Sequence, residues 1–219
     1  MECWFSILSA LAAGGSKYVD QDNKDCREFQ NYTLVIDDAS DATAVIQAIR
    51  RAKSALYPSI EEFYTLTFSV DSATFDWSIG NRLFGDTSQI DAFVIPLLKQ
   101  HPNSRRAIAL CYDPKTDSHC AAANVPSLVL LQFRVIDHKL ELAASLRSCD
   151  AYLGLPANIW QARAIQEYVA TKLNLTCGSL TLIVSSLHWF SDYSTEAQAT
   201  VASVRRLMGV SHAARGPTK

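Results

Sequence analysis

Two apolar runs with only two residues between them restrict this chain more than any other feature in it. Residues 127–136 (SLVLLQFRVI) and 139–145 (KLELAAS) read as strands, and Asp137-His138 is all that joins them. So short a connection suits an antiparallel hairpin, because a parallel pair needs a crossover of a dozen or more residues. Further strand signals lie at 32–36, 106–111 and 180–185. Helical periodicity marks 2–13, 40–55, 88–100, 157–173 and 194–207, with Ser40 and Ser88 as N-caps and Ala44, Val45, Ala48 and Ile49 on one face. The stretch TCGSLTLIVSSLHWF reads as a short glycine turn into a buried strand that ends in a polar and aromatic cluster. Helices and strands interleave without a strict βαβ rhythm, so the expected class is α/β of the α+β type, a mixed sheet covered by helices.

With 219 residues, 48% of them hydrophobic and 19% charged, the chain is large enough to bury a core without disulfides or metal. No repeat, low-complexity tract or linker divides it, and residues 1–219 are expected to form a single domain. A formal net charge of −2 and basic residues that cluster only as short pairs argue against a nucleic-acid partner. The opening MECWFSILSALAAGG lacks the positive segment of a secretory signal, and Glu2 stands where Lys or Arg would be expected. It reads as a core helix closed by Gly14-Gly15. No apolar run is long enough for a membrane span. The six cysteines show neither CxxC pairs nor a disulfide framework, which speaks against a metal site and for small buried thiols in the cytoplasm.

Polar chemistry concentrates in PNSRRAIAL and RSCDAYLGLPANIW. The first places Arg105 and Arg106 just before an apolar strand. The second places Arg147, Ser148 and Asp150 ahead of a Gly-x-Pro-x-Asn turn into a helix. Guanidinium forks and a hydroxyl suit an anion such as a phosphate. Each residue also has a plainer reading: solvated or ion-paired arginines, Asp150 capping its turn, Asn158 capping the helix, and His188 as a core histidine.

RSCDAYLGLPANI, together with PNSRR, LLQFRV and LHWF, resembles thymidylate synthase and the related pyrimidine-nucleotide methylases and hydroxymethylases. The resemblance runs from Pro126 to Phe190 and more loosely from Ile79 to Asp113, while WFSILSALAAGG and REFQNYTLVID fit the family's opening helix and first strand. It implies a thymidylate-synthase-like fold paired sheet to sheet in a homodimer, with a pyrimidine nucleoside monophosphate as ligand. Arg147 and Ser148 match the phosphate-binding pair, and Arg105 and Arg106 match arginines that reach into the partner's phosphate site. Asn158 matches the amide that reads the pyrimidine edge and leans toward uracil. His188 matches the histidine at the sugar hydroxyl, Asp150 a carboxylate near cofactor and base, and Glu61 the glutamate that organises water and protons.

The chain departs from the family at the nucleophile. Pro126-Ser127-Leu128 stands where the family has Pro-Cys-His. The family's thiolate adds to carbon 6 and makes carbon 5 electron-rich. A thiol with a pKa of about 8.5 supplies some thiolate at neutral pH, and a serine hydroxyl supplies essentially no alkoxide. Ile79-Gly80 replaces Tyr-Gly, Phe190 replaces a tyrosine, Asp22 stands in place of a phosphate-loop arginine, and SHAARGPTK does not resemble the apolar tail that closes over folate. The cofactor is therefore left open, with methylenetetrahydrofolate as the family's one-carbon donor. The expected function is modification of the pyrimidine ring without a cysteine adduct, with Ser127, Glu61, Asp150 and Asn158 as the catalytic set. A non-catalytic nucleotide-binding homologue and a nucleotide hydrolase are the alternatives.

Overall fold

The computed structural model describes residues 2–37, 41–53, 57–71, 78–122, 124–193, 195 and 198–202. Its centre is the expected hairpin. Strand β4 (Leu128–Ile136) pairs antiparallel with β5 (Lys139–Leu146), with Ile136 opposite Lys139. Asp137 and His138 both adopt left-handed φ, 49° and 60°, the geometry of a two-residue type I′ turn whose twist matches that of the strands.

Around this hairpin the chain builds β1 (Ser16–Val19), β2 (Asp25–Ile36), β3 (Ile108–Leu110), the short β6 (Cys149–Asp150) and the long β7 (Thr176–Phe190). The sheet order is β1-β2-β7-β5-β4-β3, with β6 also on β7. The sheet is mixed: β5 and β6 run parallel to β7, and every other pairing is antiparallel. A parallel β5–β7 pair requires a crossover, which α7 (Gly154–Leu173) supplies. The remaining helices are α1 (Glu2–Gly14), α2 (Asp41–Lys53), α3 (Ile60–Phe68), α4 (Ile79–Phe84), α5 (Ile95–Gln100) and the short α6 (Pro114–Asp117).

One face of the sheet makes the core. Leu131 and Phe133 of β4, Leu140, Leu142 and Ala144 of β5 and Leu180, Leu182 and Val184 of β7 are all buried, in one cluster with Ile165 and Val169 of α7. The period of two then places Leu130, Gln132, Arg134 and Ile136 on the opposite face, with Val35, Ile183 and Leu110. Val35 is 60% exposed and Ile183 44%, so that face carries open apolar surface. Among the described residues no helix is long and apolar enough to cross a membrane.

A line of local irregularities crosses the sheet and sets up the site. In β2, Asn31 has φ 53° and stands between the pairs Gln30–Ser186 and Tyr32–Val184, which keep one register on either side of it. In β7 the buried positions switch there from 180, 182 and 184 to 187 and 189. The β4–β5 register shifts between Leu128 and Leu130, and Arg147-Ser148 interrupts the line from β5 to β6. Such irregularities re-aim side chains, and Arg147, Ser148 and Ser127 all lie on this line. A second shift, between Leu140 and Leu142 of the β5–β7 pair, frees backbone carbonyls that two buried α7 side chains collect. Gln166 Nε2 donates to Leu140 O at 2.6 Å and Arg163 Nη1 to Gly178 O at 3.0 Å.

Several elements differ from the sequence expectation. The 88–100 helix opens as a π-helical turn, Gln89–Val94, before α5. Pro96 cannot donate a backbone hydrogen bond, and its ring crowds the carbonyl four residues back. Ser88 sits at φ 37° and makes no side-chain cap. β7 runs straight through Gly178 in place of a turn, and a Cβ there would collide with the Glu141 carboxylate. The strand expected at 32–36 extends back to Asp25, and α7 begins three residues before the expected 157. The Ser40 cap lies outside the described residues. Of the 194–207 helix, residues 195 and 198–202 are described and are helical.

Candidate active site

The turn after β6 is fastened from several sides. Asp150 Oδ1 accepts the backbone N–H groups of Tyr152 at 2.7 Å and Leu153 at 3.1 Å, so this carboxylate does cap its turn. Ala151 N donates to His188 O at 2.7 Å, Trp4 Nε1 to Ala151 O at 2.7 Å, and the Tyr57 hydroxyl to Leu153 O at 2.7 Å. Burial raises the Tyr57 phenol well above its ordinary range, with Asp150 adding to the effect, so it acts only as a donor. This turn delivers Gly154, Leu155 and Pro156 into the first turn of α7. Asn158 therefore lies inside the helix and is not its cap. The Asn158 Nδ2 donates to Cys149 Sγ at 3.3 Å.

Arg147 secures the segment ahead of β4. Its Nε donates to Pro126 O at 3.0 Å and its Nη2 to Val125 O at 2.7 Å, while Arg147 N donates to Ser127 O at 2.9 Å. Nη1 reaches the Ser148 hydroxyl at 3.2 Å. Three of the five guanidinium N–H groups are thus committed within the protein, and two remain on an exposed side chain for an external anion.

Between that segment and α7 lies a pocket of about 380 Å³, within the range of small-ligand sites. Ser127, Leu128, Asn124 and Val125 form one wall, Asn158 and Gln161 of α7 the facing one, and Phe63, Leu66, Ser78 and Ile79 close it from α3 and the start of α4. Gly80 makes that closure possible. A Cβ there would run into Ser69 O and approach the Phe68 and Ser69 carbonyl carbons at 2.8 Å. Gln161 is anchored by Nε2 donating to Thr67 Oγ1 at 3.1 Å. Among the described lining residues none ionises, and among the described residues no side chain hydrogen-bonds the Ser127 hydroxyl.

The structure brings Ser127 and Asn158 into one cavity, with Arg147 and Ser148 behind its wall and Asp150 one link away through Cys149. His188 sits on β7 opposite Asp150. Its Nδ1 is buried without a hydrogen-bond partner, and its ring meets Phe190 edge-on at 5.0 Å. Across the strand, the Ser186 hydroxyl and then the Gln30 amide hold the Glu28 carboxyl below its usual range despite burial, with a smaller contribution from His188.

Three expected residues are not brought there. Glu61 is exposed on α3 and does not line the pocket; its neighbour Glu62 is occupied in a capping box with Ser59 and an ion pair with Arg50 at 3.0 Å. Arg105 and Arg106 are exposed at the other end of β4, because antiparallel pairing sets Ile108 opposite Gln132 and Ala107 O against Phe133 N. At about 3.3 Å per residue, roughly 20 Å of strand separates them from Ser127. Sequence reasoning in turn missed Gln161 and Cys149. Gln161 follows Asn158 by three residues on one helix, so helical spacing alone carries the signal. Among the described residues no group of three or more His, Cys, Asp or Glu side chains could hold a metal ion.

The model of the family described as "Thymidylate synthase" matches residues 61–208. The chain is 30% identical over 191 residues to the "Putative thymidylate synthase" of Methanosarcina barkeri, an alignment that spans 85% of this chain and 84% of that protein. It is 35% identical over 113 residues to the thymidylate synthase of Buchnera aphidicola, covering 52% of this chain and 42% of that one. It is 34% identical over 114 residues to the thymidylate synthase of Fusobacterium nucleatum, covering 52% and 40%.

Proposed function

The chain belongs to the thymidylate synthase family, and from that premise we propose that it binds a pyrimidine nucleoside monophosphate in the Ser127–Asn158 pocket and modifies the pyrimidine ring without a covalent cysteine adduct. The observation that carries the reading is the pairing of a carboxamide wall, Asn158 with Gln161, with a guanidinium that braces the opposite wall from behind, through Val125 O and Pro126 O, and keeps two N–H groups for an anion. The amides face the base and Arg147 with Ser148 faces the phosphate.

Ser127 stays a neutral hydroxyl in this scheme, since no described lining group ionises to take its proton. Carbon 5 becomes nucleophilic through an electron-donating ring substituent of the substrate itself, and the protein contributes orientation and exclusion of water. None of the described lining side chains is cationic to meet the glutamate tail of methylenetetrahydrofolate, the family's one-carbon donor. No step is routed through it.

The active form is a homodimer joined through the open sheet face. Half-exposed Val35, Ile183, Leu110 and Ile136 give that face the apolar surface an interface needs. Arg105 and Arg106 reach the phosphate site only from a second copy, given their place at the far end of β4. The absence of an ionisable group among the described lining residues favours one second reading, a nucleotide-binding protein without turnover. A panel of pyrimidine nucleotides, assayed for binding and for product with and without methylenetetrahydrofolate, separates the two. Turnover of any member supports the enzyme, tight binding with no product supports the binding protein, and no binding refutes both.

A further inference from the structure

Cys149 has no part in the chemistry above, and it is the side chain that holds Asn158. Its sulfur accepts the Asn158 Nδ2–H at 3.3 Å, and its own S–H points to the Asp150 carbonyl at 3.6 Å. The thiol is 2% exposed, and burial pushes it up to about 12, so it keeps its hydrogen at any physiological pH. That single hydrogen is committed to Asp150, and the sulfur offers Asn158 only a lone pair. A carboxamide turned through 180° would set Oδ1 against that lone pair with no hydrogen between them. Asn158 therefore presents the pocket with one fixed order of donor and acceptor. A uracil edge carries an N3–H donor beside an O4 acceptor, and a cytosine edge carries an N3 acceptor beside an N4 donor, so the two bases require opposite amide orientations.

Resting on the nucleotide reading above, we propose that Cys149 is a positioning residue: its bond to Asn158 locks the carboxamide in one orientation and makes the pocket select uracil over cytosine. Loss of one such bond corresponds to a roughly three- to tenfold change in base preference. The test is titration calorimetry of the full chain with uridine and cytidine monophosphate. The wild type prefers uridine monophosphate. Cys149→Ala lowers the ratio of affinities three- to tenfold, and Cys149→Val, which fills the volume without either bond, does the same where the alanine variant fails to fold. Cys149→Ser retains one donor and one acceptor and keeps the wild-type ratio. In an Asn158→Ala background, Cys149→Ala leaves the ratio unchanged. An unaltered ratio in folded Cys149→Ala or Cys149→Val overturns the inference alone, as does an equal shift in the Asn158→Ala background. Failure of the wild type to bind either nucleotide overturns the site reading and this inference together.

Discussion

Replacing Arg147 by lysine separates two tasks that one guanidinium performs. Arg147 spans Pro126 O at 3.0 Å, Val125 O at 2.7 Å and the Ser148 hydroxyl at 3.2 Å, and so fixes the wall that carries Ser127. Charged hydrogen bonds of this kind contribute up to about 1.5–3 kcal/mol each when buried. This side chain is exposed, and water re-forms bonds to both carbonyls when it leaves, so the net loss falls to about 1–2 kcal/mol. Lysine keeps the charge but is a point donor that cannot bridge two carbonyls and still face an anion. Urea unfolding of Arg147→Lys is therefore expected to show a stability loss of about 1 kcal/mol. Calorimetric titration with uridine monophosphate is expected to show at least about tenfold weaker binding, with Arg147→Ala weaker still. Wild-type affinity in Arg147→Lys would show that charge alone suffices and that the fork geometry is irrelevant. Wild-type affinity in Arg147→Ala would remove the anion site from the account altogether.

Gly80→Ala forces a Cβ into Ser69 O at the back of the pocket, and a thermal melt is expected to show a loss of roughly 2–4 kcal/mol; an unchanged melting temperature contradicts the close approach. Arg82→Met strips Asp117, only 5% exposed, of its 2.9 Å ion pair, and urea unfolding is expected to show about 3–5 kcal/mol of destabilisation, with a loss below 1 kcal/mol arguing against that pair. Burial pushes the Cys111 and Cys149 thiols from 9.0 up to about 12. Above pH 9 the unfolded chain loses both protons while the folded chain holds them. Their contribution is thus complete below pH 9 and declines between pH 9 and 12 by up to roughly 2.7 kcal/mol per pH unit. Denaturation midpoints from pH 7 to 10.5 read this slope, Cys111→Ala is expected to make it shallower by up to about 1.4 kcal/mol per pH unit, and an identical slope in that variant contradicts the assignment.

The hairpin was legible because turn length and alternation act locally, and the same holds for α1 and for the apolar face of α2. The irregularities were not. The left-handed residue Asn31 within β2, the interruption at Arg147-Ser148 and the straight run through Gly178 depend on neighbouring strands, and glycine in a strand reads locally as a turn. Within the site, the RSCD and GLPAN stretches located Arg147, Asp150 and Asn158 because they are contiguous in the chain. Asp150 also serves the plainer role of turn cap, a choice that only its bonds to Tyr152 N and Leu153 N settle. Glu61 followed from the family resemblance alone, and the position of its side chain on α3 is decided by tertiary packing. Cys149 read as one more small buried thiol, since nothing in its spacing announces the contact with Asn158.

The proposed nucleotide site sets a pyrimidine base at Asn158 and its phosphate at Arg147, behind the wall that carries Ser127. A crystal structure of the chain with uridine monophosphate tests it most directly. The expected electron density has the base edge within hydrogen-bond distance of the Asn158 carboxamide, the phosphate on Arg147 and Ser148, and Arg105 and Arg106 of a second copy closing on the same phosphate across the open sheet face. A nucleotide bound elsewhere, or one whose phosphate leaves Arg147 untouched, would contradict it.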